Sequence, residues 1–332
     1  MAERATRLST TAFLHAVLRR SARTPDRGGD TISTVDPAAE RRYVLTLSCP
    51  DTTGIVARIS GFLAGAGGWI TEAGYHSDPE SGWFFTRQVV RATSLPYDVA
   101  ELRKRFGEIA AELGGAGGAS WTVTDTGVPK RVVLLVSREA HCMHDLLGRV
   151  ATGELPIRLA AVVGNHEELG DIVRAHGVPF HHVEFPPPSA GGGQLKAAAF
   201  EQLGEVVDAC APDAVVLARF MQVLPASLCR RWTGRVLNIH HSFLPSFVGA
   251  RPYHQAYARG VKLIGATCHY VTAELDAGPI IEQDVIRVDH GDSIADMIRR
   301  GRDIERLVLA RGLRWHLEDR VLLHGNKTVV FH

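Results

Sequence analysis

Strand-like and helix-like segments alternate along the chain from residue 131 onward, and this alternation restricts the possible folds more than any other feature. Short apolar runs with the length of a buried strand are separated by segments with helical periodicity. Strands joined through helices run parallel to one another, so the pattern predicts a Rossmann-like, mostly parallel α/β sheet with helices on its faces. The predicted strands cover residues 131–137, 157–164, 180–185, 214–217 and 235–239.

The C-terminal part of the chain extends this domain. In order, its predicted elements are a short helix after Pro252, strands at residues 262–272 and 279–288, an amphipathic helix at 293–317, and a hairpin of residues 321–323 and 328–331. Gly325 and Asn326 suit the tight turn of that hairpin. A run of prolines and glycines at residues 186–193 predicts a long surface connection earlier in the domain.

Residues 43–124 predict a separate, smaller module. Its elements are, in order, a strand at 43–49, a helix at 55–66, strands at 69–77 and 83–91, a helix at 99–113 and a strand at 120–124. This βαββαβ order is that of the ferredoxin-like fold. We therefore predict an extension at residues 1–40, a module at 41–127 and a larger α/β domain at 128–332.

The N-terminal extension has a composition of its own. Residues 1–25 carry five arginines against one glutamate, and much of the remainder is Ser, Thr and Ala. A transit peptide has such a composition, and so does a disordered tail or a segment read from a misplaced start codon. We predict a disordered or poorly ordered extension.

The overall charge of the chain is close to neutral, with 37 Lys and Arg against 36 Asp and Glu among 332 residues. This balance gives no steering toward nucleic acid or an anionic membrane, so we expect a small-molecule partner. No apolar run approaches the ~20 residues of a transmembrane helix. The five cysteines are scattered without a CxxC pair, which indicates a reducing compartment and predicts a cytoplasmic location.

Polar side chains cluster where the strand at 235–239 ends. Asn238 and His240 lie two residues apart, so both project from the same side of the strand, while Ile239 and His241 point away. The carboxyl ends of parallel strands carry the binding sites of open α/β sheets. An amide beside an imidazole can stabilise an oxyanion formed from a carbonyl group. Alternatively, both side chains only satisfy backbone groups at the strand end.

A carboxylate, Asp276, lies in a predicted turn at residues 274–279. Asp in such a turn is often only a hydrogen-bonding turn residue. If the turn folds back against Asn238 and His240, the carboxylate would hold a proton on the imidazole near neutral pH. Sequence spacing leaves both alternatives open.

Several strings of this sequence resemble the folate-dependent formyltransferase family, and within it the formyltetrahydrofolate deformylases. The strings that resemble the family signature lie at residues 238–247, 269–271 and 276–281. Those that resemble the deformylases in particular lie at residues 137–142, 218–222, 238–247, 252–257 and 301–306. The resemblance covers roughly residues 43–331.

This resemblance implies that Asn238, His240 and Asp276 form a catalytic triad that hydrolyses 10-formyltetrahydrofolate to tetrahydrofolate and formate. Asn238 and His240 would stabilise the oxyanion, while Asp276 would position or deprotonate water and relay a proton to N10. Such an enzyme serves one-carbon metabolism and purine biosynthesis. Folate is the substrate, so no cofactor is expected.

The resemblance also implies a binding site for the folate. Its predicted contacts are Met221, Gln222, Val223, Leu224, Thr272 and Glu274. Backbone groups there would bind the pterin edge, and apolar side chains would form a slot for the flat ring. For Met221 and Leu224, simple core packing is the alternative.

The loop after the strand at 131–137 bears on the choice between hydrolysis and transfer. A relative that formylates a phosphorylated ribosyl amine has a Gly-rich phosphate loop at this point, whereas residues 137–142 contain no glycine. Water is therefore the expected acceptor. His141, Cys142 and Asn165 are predicted to shape the acceptor pocket, although His141 also suits a simple helix start.

Cys142 is not expected to act as a nucleophile, because adjacent residues such as His141 and Cys142 point in different directions at a helix start. The sixteen histidines show no spacing such as HExxH, so no metal site is predicted.

The smaller module resembles an ACT domain. Asp51, Gly54 and Ile55 belong to a loop that opens a helix, where backbone amides could bind the carboxylate of an amino-acid effector such as glycine or methionine. The resemblance implies a homo-oligomer formed through this module, and a purely architectural dimerisation role is the alternative. Thr53 replaces a proline that relatives often have.

Two other functions remain in competition with hydrolysis. Transfer of the formyl group to an amine is disfavoured by the missing phosphate loop. An amino-acid-sensing binding protein with an idle catalytic domain is disfavoured by the intact set of Asn238, His240 and Asp276.

Overall fold

The computed structural model describes residues 41–187, 193–246 and 251–332. The predicted extension at residues 1–40, part of the proline- and glycine-rich connection, and Phe247 of the signature string lie outside the described residues. Arg41–His332 forms one compact unit. Within it, two main sheets pack around separate hydrophobic cores. The division at residues 127 and 128 stays a prediction.

The smaller module is a four-stranded antiparallel sheet with two helices. Its elements are β1 (Arg42–Pro50), α1 (Ile55–Gly65), β2 (Ile70–Asp78), β3 (Trp83–Arg91), α2 (Val99–Gly114) and β4 (Ser120–Asp125). The strand order is β2-β3-β1-β4. The predicted βαββαβ order is thus confirmed, and each predicted bound lies within one residue of the observed one.

Local sequence explains the two helices of this module. Helix α1 buries Ile55, Ile59 and Leu63, which recur at every fourth position and so share one face. Helix α2 begins after Asp98, whose carboxylate accepts hydrogen bonds from the amides of Ala100 and Glu101 at 3.0 Å each.

The larger domain contains a seven-stranded sheet and six helices among the described residues. Its first elements are β5 (Arg131–Val136), α3 (His141–Ala151), β6 (Arg158–Gly164), α4 (Gly170–Ala175), β7 (Phe180–His182), α5 (Gly193–Ala209), β8 (Ala214–Ala218), α6 (Ala226–Arg231) and β9 (Val236–His240). The later ones are α7 (Pro252–Arg259), β10 (Leu263–Tyr270), β11 (Ile280–Arg287), α8 (Ile294–Leu317), β12 (Val321–His324) and β13 (Lys327–Val330).

The strands of the large sheet follow the order β11-β10-β9-β8-β5-β6-β7. Strands β5 to β9 are parallel, whereas β10 is antiparallel to both β9 and β11. This confirms the predicted mostly parallel α/β sheet. From β5 the chain runs outward to β6 and β7, and it then returns to β8 and β9 on the other side. The order in which successive strands are added therefore reverses between β5 and β8, and such folds bind ligands at this switch point.

Helix α8 is the longest element among the described residues, with 24 residues. Ser293 and Asp296 form a reciprocal capping box that starts it. Gly312 faces β10 so closely that a Cβ at this position would lie 2.6 Å from Sγ of Cys268. The glycine therefore permits the close approach of α8 to the sheet.

The two sheets are joined by contacts near the C-terminal end of α8. Arg87 of β3 is buried, and its guanidinium donates to the carbonyl of Glu318 at 3.0 and 3.2 Å. The rings of Trp83 and His324 lie 5.0 Å apart.

Across the described parts of the chain, no helix combines the length and apolar character needed to cross a bilayer.

We expect Gly312→Ala to lower the free energy of unfolding by about 1–3 kcal/mol, because the new methyl group overpacks the contact with Cys268. Gly61→Ala in α1 is the matched control, since nothing lies within 4 Å of its Cβ position. That control should gain about 0.5–1 kcal/mol from helix propensity. Urea unfolding followed by circular dichroism measures both, and a stabilised Gly312→Ala variant would contradict the packing argument.

Candidate active site

Asn238, His240 and Asp276 come together at the carboxyl end of β9. Asn238 and His240 belong to β9 itself, while Asp276 lies in the loop between β10 and β11. Nδ1 of His240 is 3.4 Å from Oδ2 of Asp276, and both side chains are largely buried. The turn therefore folds back against the strand.

Gly278 allows this turn to form. A Cβ at Gly278 would lie 1.8 Å from the carbonyl oxygen of Tyr270, so no other residue fits without a backbone shift. Asp276 itself has a φ of +54°, a left-handed conformation that is costly for a residue with a Cβ. Such strain often accompanies a functional site.

His269 is a member of the site to which the sequence analysis assigned no role. It lies opposite Asn238 in the antiparallel pairing of β9 with β10. Its Nδ1 is 2.9 Å from the carbonyl oxygen of Tyr270, which can only accept, so Nδ1 carries a proton. Burial lowers the pKa of His269, which favours the neutral ring.

The neutral His269 fixes the orientation of Asn238. With the proton on Nδ1, Nε2 of His269 accepts a hydrogen bond from Nδ2 of Asn238 at 3.1 Å. One N–H of the amide is therefore engaged, and the second remains to donate elsewhere. The register between β9 and β10 places His269 opposite Asn238 and could have identified this pair. That register can be derived only once β10 is known to be antiparallel to β9.

The electrostatics of the site favour an ionised Asp276. The hydrogen bond from His240 is the main cause that lowers the pKa of this carboxyl group, against the opposing effect of burial. Nε2 of His240 is buried and has no hydrogen-bond partner among the described residues. The imidazole thus has one nitrogen against the carboxylate and one available for a substrate.

His241 lines the same cavity, although the strand alternation predicted that it points away. Strand β9 ends at His240, so the alternation does not extend to the next residue. The rings of His240 and His241 are 5.3 Å apart. Burial, reinforced by the charge of Arg219, lowers the pKa of His241 to about 4. His241 is therefore neutral at physiological pH.

These residues line a cavity of about 460 Å³. Most of its wall comes from three segments, at residues 219–224 after β8, 238–241 at the end of β9, and 271–276 after β10, and Leu217, Arg251 and His269 complete it. All six predicted folate contacts belong to this wall: Met221, Gln222, Val223, Leu224, Thr272 and Glu274. The cavity has the size of a small-molecule site.

The folate candidates differ in burial. Met221 and Val223 are each 60% exposed, so Met221 is a rim residue and not part of the core. Leu224 is 6% exposed and packs in a hydrophobic core while also lining the cavity. The amide of Met221 donates to Oγ of Ser137 at 2.9 Å, which ties the loop after β8 to the loop after β5.

The three candidates for an acceptor pocket are not part of this cavity wall. His141 starts α3, and its Nε2 lies 2.8 Å from Oε2 of Glu305. Cys142 is fully buried in the core, and burial raises the pKa of its thiol well above the usual range. Asn165 is 6% exposed, and its Oδ1 has no hydrogen-bond partner among the described residues. Their role toward an acceptor stays a prediction.

His141, Cys142 and Glu305 bring a nitrogen, a sulfur and an oxygen within 4.8 Å of one another. The side chain of Cys142 is fully buried, and burial raises the pKa of its thiol. Glu305 already faces Tyr253 and the guanidinium of Arg219, so its charge is balanced. We assign no metal to this group.

The predicted regulatory residues lie at the start of α1. The amide of Asp51 donates to the carbonyl of Gly82 at 2.8 Å, and its carboxylate contacts the hydroxyl of Ser77. Gly54 has a φ of +93°, and no side chain caps the helix that follows. Ile55 is 2% exposed, so only its backbone could meet a ligand.

The low pKa of His241 predicts a loss of stability in acid. His241 binds a proton near pH 6.5 in the unfolded chain and only near pH 4 in the folded chain. The contribution of the neutral His241 to stability is therefore complete above about pH 6.5 and is lost as the pH falls toward 4. Between pH 7 and 5 this histidine should contribute a loss of about 2 kcal/mol. Between pH 7 and pH 5, the free energy of unfolding of His241→Asn should therefore fall less than that of the parent protein. Urea unfolding at both pH values measures the two losses. An equal loss in both proteins would contradict the assignment.

Comparisons with known proteins identify the relatives of this chain. Residues 130–313 match the family model described as Formyl transferase. The formyltetrahydrofolate deformylase of Bacillus subtilis (strain 168) is 43% identical over 289 residues, 87% of this chain and 93% of the relative. A crystal structure of a formyltetrahydrofolate deformylase from Pseudomonas syringae pv. tomato str. DC3000 has a TM-score of 0.84 and 51% identity, covering 97% of this chain and 99% of that one.

A solved structure that is less similar to this chain belongs to a protein with a different name. Glycinamide ribonucleotide transformylase 1 from Symbiobacterium toebii has a TM-score of 0.56 and 31% identity, covering 61% of this chain and 95% of that one. The likeness to the deformylases thus extends over much more of the chain than the likeness to the transformylase. The chain belongs to the formyltetrahydrofolate deformylase family.

Proposed function

We propose that this chain hydrolyses 10-formyltetrahydrofolate to tetrahydrofolate and formate. The observation that carries the proposal is the convergence of Asn238, His240 and Asp276 at the wall of one cavity. An amide donor, an imidazole and a carboxylate are the groups that attack of water on a formyl carbonyl requires. The names of the relatives support the same substrate.

In this mechanism the formyl oxygen lies against Asn238 and His240. The free N–H of the Asn238 amide donates to it, because His269 engages the other N–H. When His240 carries both protons, Nδ1 donates to Asp276 and Nε2 donates to the developing oxyanion. His269 is a positioning residue for Asn238, and its Nε2 also lies 3.9 Å from Oδ1 of Asp276.

Asp276 is proposed to take a proton from the attacking water and to pass it to N10. Its lowered pKa keeps it ionised, so it can accept a proton as the water oxygen bonds to the formyl carbon. The tetrahedral intermediate then collapses. The bond from carbon to N10 breaks, and N10 takes the proton that Asp276 accepted from the water. The formic acid formed releases its own proton, so tetrahydrofolate, formate and one proton leave.

We propose that the folate ring occupies the slot between residues 221–224 and 272–276. Both segments line the cavity, and their exposed backbone suits hydrogen bonds to the edge of a pterin. The apolar side chains of Met221, Val223 and Leu224 provide contacts for the flat ring. No cofactor or metal enters this proposal, and we retain the predicted cytoplasmic location.

Water is the proposed acceptor because the loop after β5 offers no cradle for a phosphate. Its residues are committed to the protein itself: Ser137 accepts from the amide of Met221, and Glu139 pairs with Arg302 at 2.6 Å. Transfer to an amine is the competing function, and the structure named as a transformylase shows that related folds occur in such proteins. The more extensive likeness to deformylases favours hydrolysis.

We further propose that the smaller module is an ACT-like regulatory domain. An amino-acid carboxylate would bind the amides at the start of α1, next to Asp51, Gly54 and Ile55. The same module would join two copies of the chain, since β2 is an edge strand and Tyr75 on it is 41% exposed.

Asp276→Asn should bind the folate but lose formate release by about 10²–10³-fold, as expected for removal of a group that acts in the transition state. Formate release and folate binding by fluorescence titration measure the two effects separately. Asp303→Asn is the control, because that carboxylate pairs with Arg306 on the exposed face of α8. Near-normal turnover in Asp276→Asn would exclude the proposed mechanism.

Gly54→Ala should weaken any effect of glycine or methionine on formate release, because an alanine is strained at a φ of +93° and would reshape the loop. Formate release titrated with each amino acid is the measurement. Gly115→Ala is the matched control, since it also has a positive φ in the same module and open space around its Cβ position. A wild-type protein insensitive to both amino acids would refute the regulatory proposal.

A further inference from the structure

A buried carboxylate, Glu305, organises a polar cluster beside the reaction cavity. Its side chain is 1% exposed. The hydroxyl of Tyr253 donates to Oε1 at 2.6 Å, Nε2 of His141 lies 2.8 Å from Oε2, and Nε of Arg219 lies 3.5 Å from Oε2. We call Glu305, Tyr253, His141 and Arg219 the Glu305 cluster.

The cluster joins four separate elements. Glu305 belongs to α8, Tyr253 to α7 and His141 to α3, while Arg219 directly follows β8. Burial opposes the ionisation of Glu305, but the hydrogen bond from His141 and the charge of Arg219 lower its pKa below the usual value. A buried carboxylate is costly and adds little net stability even when paired, so its presence here calls for another explanation.

Gly301 makes room for this arrangement. It lies one helical turn before Glu305 on α8, and a Cβ there would be 2.0 Å from the hydroxyl oxygen of Tyr253. The tyrosine therefore reaches the carboxylate only because this position has no side chain.

The cluster lies next to the reacting groups. Arg219 lines the cavity together with His240 and His241, and the ring of His241 is 6.0 Å from that of Tyr253. Arg219 directly follows β8, and His141 starts the helix that follows β5; the order of the strands reverses between these two strands. In an open α/β sheet this is the place where a substrate would enter.

The side chains of the cluster fill this place. Arg219 and His141 are each 13% exposed, and Tyr253 is 7% exposed. Each has one polar atom within 3.5 Å of the Glu305 carboxylate, while Nδ1 of His141 and Nε of Arg219 have no hydrogen-bond partner among the described residues. An incoming molecule would have to displace these side chains and break their contacts with Glu305. Such an obstacle discriminates against one substrate without improving the binding of another.

We propose that the Glu305 cluster occupies the approach of an amine acceptor and thereby restricts the nucleophile to water. This inference rests on the proposed hydrolysis of 10-formyltetrahydrofolate. In the excluded reaction, the amine nitrogen would bond to the formyl carbon, the bond to N10 would break, and one amine proton would pass to N10. The products would be a formamide and tetrahydrofolate.

The test measures how the formyl group is divided between water and an amine. The full-length protein is incubated with 10-formyltetrahydrofolate and a large excess of glycinamide, and both formate and N-formylglycinamide are quantified. The ratio of the two products does not depend on the fraction of active enzyme. A merely structural role of the cluster would therefore change the total amount but not the ratio.

The main variant combines Arg219→Gly with Glu305→Gln. Arg219 has a φ of +66°, which glycine adopts without strain, and removal of both charges leaves no unpaired ion. We expect the ratio of N-formylglycinamide to formate to rise on the order of tenfold over the wild-type protein. Arg306→Ala is the control, since this exposed residue adjoins Glu305 in sequence but pairs with Asp303; its ratio should equal that of the wild type.

Gly301→Ala provides an independent variant that retains every charge, because the new methyl group displaces Tyr253. If the double variant does not fold, the product ratio of Gly301→Ala tests whether the Glu305 cluster excludes the amine. A wild-type ratio in whichever of these variants releases product would overturn the inference and leave the hydrolytic function intact. Substantial N-formylglycinamide from the wild-type protein would also overturn it. Absence of formate in every wild-type reaction would instead refute the proposed function, and the inference with it.

Discussion

The antiparallel pairing of β10 with β9 is the constraint on which the rest of the site depends. It places His269 opposite Asn238 and Thr267 opposite His240. Because β10 runs against its neighbour, it begins beside the carboxyl end of β9 and ends beside Leu237. The loop that leaves β10 then folds back along the strand, so that Asp276 contacts His240. The pairing and the return of this loop together bring the carboxylate to the imidazole.

Much of the fold could be predicted from sequence because the determining signals are local. Helical and strand periodicity located the elements of the smaller module to within a residue, and the alternation after residue 131 indicated a parallel sheet. Strand β7 is shorter than predicted, ending at His182 and not at residue 185. It is an edge strand before a run of prolines, where pairing is weakest.

The site was less predictable because its contacts join distant parts of the chain. Asn238 and His240 share a strand, and periodicity alone placed them together, but Asp276 required a resemblance to known proteins. His269 needs the register of two strands, and Glu305 needs the packing of α8 against three other elements. His241 was assigned to the wrong side because a periodic rule was applied beyond the end of β9. In each case tertiary packing, absent from any local pattern, decides the position.

Helix α8 has a mechanical consequence for the whole molecule. At 1.5 Å per residue its 24 residues span about 36 Å. Near its middle it holds Glu305 beside the cavity, and just beyond its C-terminal end Arg87 of the smaller module binds the carbonyl of Glu318. Glu305 and Glu318 are 13 residues apart, so the two contacts lie about 20 Å from each other along one continuous helix. Because a helix is stiff along its axis, it fixes the distance between the smaller sheet and the polar cluster beside the cavity.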